Sequence, residues 1–101
     1  MRTLKVERGG IRQVTVVTEP EGRDDNIDVW ADLGDGRCFS FTIFTLRNLE
    51  RLLVGRRTFV CPGMLIVKEL SDAAIVEAIC DAASQGIEHF GILQKSSATG
   101  K

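Results

Sequence analysis

A chain of 101 residues with a formal net charge of −1 amounts to one domain, with room for a core but not for an active site built between domains. Hydrophobic residues make up 44% and charged ones 27%, the balance of an ordinary globular protein, and the near-neutral charge argues against a general nucleic-acid binder. No apolar run reaches membrane-spanning length and the first residues lack a signal-peptide core; three widely spaced cysteines suit a reducing cytoplasm better than a disulfide framework or zinc site.

Leu4 and Val6 alternate with charged neighbours before the turn signal Gly9-Gly10, so Thr3–Glu7 is expected as an edge strand or arm. Ile11–Thr18 is a β-branched run that predicts a strand with Val14 and Val16 on its buried face. Glu19 to Asn26, with Pro20, Gly22 and Asp24-Asp25, reads as a polar loop.

The stretch from Ile27 to Val54 organises the rest. Ile27, Val29, Ala31 and Leu33 alternate with Asp28, Trp30 and Asp32, and Phe39, Phe41 and Ile43 alternate with Cys38, Ser40 and Thr42. Both runs have the period of a strand with one buried face. A two-residue loop at Asp35-Gly36 would place Trp30 opposite Phe41 and mix the faces. A three-residue loop, Gly34-Asp35-Gly36, pairs Ala31 with Phe39 and Val29 with Phe41, leaving Gly36 in the left-handed position of a bulge. Since a slip of one residue exchanges the two faces, the apolar pattern decides for the longer loop. Asp28, Trp30, Asp32, Cys38, Ser40 and Thr42 are then expected on an open face.

Thr45 caps a first helix, with Phe44 and Leu49 as a hydrophobic staple and Gly55 as a stop. Leu46, Leu49, Leu52 and Leu53 make its apolar stripe. Arg51 sits four residues after Arg47, with Arg56 and Arg57 beyond the helix end, where positive charge suits the helix dipole. Cys61-Pro62-Gly63 breaks the chain, and Met64 to Val67 is a short buried strand. Ser71 caps a second helix whose inward face is Ile75, Val76, Ile79, Cys80 and Ala83, ending at a left-handed Gly86. Ile87–Leu93 is a last strand or a docked turn, and 94–101 a frayed polar tail. The expectation is a single α+β domain over 1–93. It has a mainly antiparallel sheet in the order β-β-β-α-β-α and two helices packed on one face.

The run DGRCFSFTIFTLRNLERLL, followed by MLIVKELSDAAIVEAICDA, resembles a set of small uncharacterised bacterial α+β proteins, of the kind also found among mobile gene-cassette products. Their shared features are a DGR-aromatic hairpin, an FT-x-x-N-L-E helix start and a second capped helix. The resemblance covers roughly residues 27 to 83. It implies a fold and lends no residue a catalytic role.

Chemistry has few places to reside. Cys61 and His89 are the one thiol–imidazole pair that the fold could assemble, and a working dyad would need an orienting carboxylate such as Glu88. Half-buried loop cysteine and strand-end histidine is the plainer reading. Cys80 and Met64 read as packing, and Asp24-Asp25 with Asp28 as a solvated turn rather than a cation loop. No metal and no cofactor is expected.

Trp30 is the anomaly, a large apolar group between two aspartates on an outward face, which reads either as an interface anchor or as a residue that a loop, the N-terminal arm or the tail covers within the monomer. Charge is uneven too: Glu19 to Asp35 has a net charge of −6 and Arg47 to Arg57 a net charge of +3. The leading expectation is a non-enzymatic binding module, homodimeric through the face of Asp28, Trp30, Asp32, Ser40 and Thr42. Arg37 or the helix-one arginines would then offset the aspartates. An immunity- or antitoxin-type inhibitor would instead use the acidic 19–35 stretch against a basic protein, and a small enzyme would use Cys61 with His89. Neither nucleic acid nor membrane is expected as a partner.

Overall fold

The structure, a computed structural model, describes residues 1–18 and 26–94. Of the polar loop expected over 19–26, Asn26 opens β3, and 19–25 lie outside the described residues, as does the tail beyond Gln94. Among the described residues six strands form an open sheet. They are β1 (Arg2–Arg8), β2 (Ile11–Val16), β3 (Asn26–Leu33), β4 (Cys38–Thr45), β5 (Met64–Val67) and β6 (Ile92–Leu93). Helix α1 (Leu46–Leu52) follows β4, and α2 (Asp72–Ser84) follows β5 and runs into a single 3-10 turn, Ile87–His89. The fold is α+β, as the patterning implies. The first segment is a full seven-residue strand rather than an arm.

β1 to β4 form an antiparallel meander. On its far side β4 is shared: β5 runs parallel to its second half, and β6 runs antiparallel to its first half. β4 is thus flanked along its length, and Phe39, Phe41 and Ile43 are each 2% exposed or less. The hairpin has the expected register, with Ala31 opposite Phe39, Val29 opposite Phe41 and Trp30 opposite Ser40. Its loop is Gly34-Asp35-Gly36: the Gly36 N–H donates to the Leu33 carbonyl, and the Leu33 N–H to the Arg37 carbonyl. Gly36 has φ of 94°, a conformation that a Cβ makes costly.

One face of the sheet is the core. Val14, Val16, Ile27, Val29 and Ala31 project into it and meet Ile75, Ile79 and Ala82 of α2. Ser71 caps α2 by accepting from the Ala74 N–H at 3.1 Å, and Asp72 pairs with Arg2 at 2.7 Å, fastening the helix to β1. Gly86 follows the helix at φ of 100°, as expected for its cap.

Helix α1 departs from expectation. Thr45 caps it as read, accepting from the Asn48 N–H at 3.0 Å. Its stripe, however, does not join α2 over the core. Leu46 is 63% exposed, Leu53 38%, and the buried residue of the helix is the polar Asn48. The Asn48 Oδ1 accepts from Nδ2 of Asn26, whose cross-strand partner is Phe44, and the Phe44 ring meets Phe59 edge-on at 5.4 Å. By strand alternation Asn26 and Phe44 belong to the Trp30 side. The two helices therefore serve opposite faces: α2 covers the core, and α1 with its connector covers one end of the other face. The reason is connectivity, since Thr45 is both the last residue of β4 and the cap, so the helix leaves from the sheet's end.

Candidate interaction surface

Register builds the second face row by row. Thr3, Thr15, Trp30, Ser40 and Ile92 stand at one level across five strands. Lys5, Gln13, Asp32 and Cys38 form the next level, and Asp28, Thr42 and Met64 lie on the other side of Trp30. All five expected interface residues, Asp28, Trp30, Asp32, Ser40 and Thr42, are brought onto this one surface. Trp30 is 39% exposed, so part of the indole remains open to solvent.

The polar groups around the indole are already tied to one another. Thr42 Oγ1 donates to Asp28 Oδ1 at 2.9 Å, Gln13 Nε2 to Asp32 Oδ2 at 3.1 Å, and Gln94 Nε2 to Ser40 Oγ at 2.7 Å. The Gln94 N–H also donates to the Cys38 carbonyl at 2.8 Å, so Gln94 belongs to the fold and not to the expected tail. Side chains held in this way lose little further freedom when a partner arrives. The result is a surface on which two exposed apolar groups, Trp30 and Ile92, flank Ser40 within a preorganised polar rim.

Cys38 corrects the expected composition of this face. It is on the open side by register but is only 9% exposed, closed in by Asp32 and by the backbone of Gln94. Burial, followed by the hydrogen bond to the Asp32 carboxylate and its charge, pushes the thiol up to about 12 from an ordinary 9.0. Cys38 stays protonated at neutral pH. We expect iodoacetamide at pH 8 to label Cys61 well before Cys38 in the folded protein, and all three cysteines at similar rates in urea. Because the unfolded thiol ionises near 9.0 and the folded one near 12, stability should fall as pH rises through that window, and Cys38→Ala should flatten the fall. Rapid labelling of Cys38 in the folded state would contradict its placement.

The thiol–imidazole pair is not brought together. Cys61 is half-buried with its sulfur 3.6 Å from the carbonyl of Pro62, while His89 is exposed and 3.7 Å from Glu88. No hydrogen bond or ion pair joins the two. A cleft of about 360 Å³ between the two hairpin turns has Ile11, Leu33 and Ile87 in its wall, and its Asp35 and Arg37 are paired at 2.9 Å. Cys80 is half-buried rather than part of the core. Among the described residues no three His, Cys, Asp or Glu side chains are grouped to hold a metal, and no helix is long and apolar enough to cross a membrane.

The feature that sequence reading missed is the role of Gln94 and Ile92 at this face, because a two-residue strand leaves no periodic signal. No family model, no curated protein and no solved structure matches the chain.

Proposed function

We propose that this protein is a binding module that self-associates through the sheet face centred on Trp30. The observation that carries the reading is the exposure of Trp30 on a sheet face whose polar groups are already hydrogen-bonded, with Asp28, Asp32, Ser40 and Thr42 around it. A part-exposed indole with a polar rim has the anatomy of a hot spot and its surrounding ring. A binding role also agrees with the separation of Cys61 from His89. The test is sedimentation of wild type and Trp30→Ala at low and high salt. Truncation of an anchor should weaken association by about 2 kcal/mol, roughly 30-fold. A wild-type protein that stays monomeric at high concentration, or a Trp30→Ala variant that associates unchanged, would refute self-association through this face. Binding of the monomer to a basic protein would favour the inhibitor reading instead.

A further inference from the structure

We infer that two copies dock face to face with the two-fold axis running along β2, so that Lys5 of each copy meets Asp32 of the other. This rests on the reading of the Trp30 face as the site of self-association and adds its register. The charges on the face select the axis. Lys5 and Asp32 occupy the same level, with Gln13 between them, two strands or about 10 Å apart. Lys5 is exposed and has no ion-pair partner among the described residues. Of the cations that the sequence suggests, Arg37 pairs with Asp35 at 2.9 Å and lies over the Phe39 ring, and Arg56 lies over the Phe59 ring.

Three alternative axes each leave a carboxylate without a cation. An axis along β3 stacks Trp30 on its mate but also sets Asp28 on Asp28 and Asp32 on Asp32. An axis across the strands at Trp30 sets Asp28 on Asp32 twice. An axis along β4 sets Trp30 over Ile92, but it also places Asp28 over Met64, which strips water from a carboxylate and supplies no cation. An axis along β2 instead exchanges β1 with β3. Lys5 then faces Asp32 twice, and Trp30 faces Thr3, a small residue at the same level. Asp28 falls at the start of β1, at the rim of the overlap, where it keeps its Thr42 hydrogen bond and its water. The aligned packing of two sheets, near 30° apart, permits this arrangement. Only three strands overlap, so the dimer is a weak one and salt-sensitive.

The experiment is complementation in trans, read by sedimentation. Lys5→Glu alone sets a new carboxylate against Asp32 at both contacts, and Asp32→Lys alone sets two ammonium groups together at both. Each variant should associate at least about tenfold more weakly than wild type. Mixed in equal amounts the two variants should form a heterodimer of near wild-type affinity, since one contact is then native and the other is its reversal. Asp32→Asn, which keeps the Gln13 hydrogen bond, serves if Asp32→Lys does not fold; it should weaken the dimer and reduce its salt dependence. Single variants that associate like wild type, or a mixture that stays monomeric, would overturn the register. If Trp30→Ala still weakened association in that case, the face would stand and only the axis would fall. A monomeric wild type overturns both.

Discussion

Phe41→Ala is expected to remove about 3–5 kcal/mol of stability. Phe41 is 2% exposed at the centre of β4, the strand that β3, β5 and β6 all flank. Its removal deletes buried apolar area and leaves a cavity whose walls are held by sheet hydrogen bonds and so cannot collapse. A domain of this size has a total stability of roughly 5–15 kcal/mol, so the variant should be near the edge of folding. Urea unfolding followed by circular dichroism measures the loss. Trp30→Ala is the control: it truncates a larger ring one residue along the partner strand, but on the other face, and should cost far less. Equal losses would show that the two faces have been wrongly assigned.

Much of this was legible in the residues. The hairpin register followed from one physical requirement, that apolar side chains share a face, and the observed pairs Ala31–Phe39 and Val29–Phe41 meet it. The caps Thr45 and Ser71 were legible because a cap is local chemistry: a hydroxyl within reach of an N–H three residues on. What escaped was what each face would meet. The stripe Leu46, Leu49, Leu52 and Leu53 has true helical periodicity, yet periodicity names the residues that share a face and not the surface opposite them. Helix α1 leaves the sheet's end on the Trp30 side, and half of its stripe stays in water. Cys38 shows the same limit. Alternation placed it on the open side, and its burial came from Gln94, 56 positions on, through a contact with no sequence signature. The five residues of the candidate surface were legible because hairpin geometry alone gathers them. Lys5 was not, because its place opposite Gln13 depends on the pairing of β1.

Gly91→Val should also destabilise the fold, by about 1–3 kcal/mol through overpacking. Gly91 crosses over β4 between the 3-10 turn and β6, and it lies against the two central phenylalanines. A Cβ there would stand 2.6 Å from Cζ of Phe41 and 2.9 Å from Cβ of Phe39. The ring of Phe41 is boxed in by the core, and Cβ of Phe39 is fixed to its backbone, so neither neighbour can retreat cheaply. The segment 91–94 must lift instead, which strains the β6 pairing and the Gln94 bonds to Cys38 and Ser40. The partner residue supplies an internal check. Phe41→Leu removes Cζ, the nearer of the two obstacles, and leaves Cβ of Phe39 in place. In that background Gly91→Ala should cost less than in wild type, with a coupling of roughly 0.5–3 kcal/mol between the two sites. Strict additivity of the two substitutions in urea unfolding would mean that Gly91 is not there to accommodate the ring. A smaller cost of Gly91→Ala in the Phe41→Leu background would show that a glycine in the final crossover is what lets β4 carry two successive inward-facing phenylalanines.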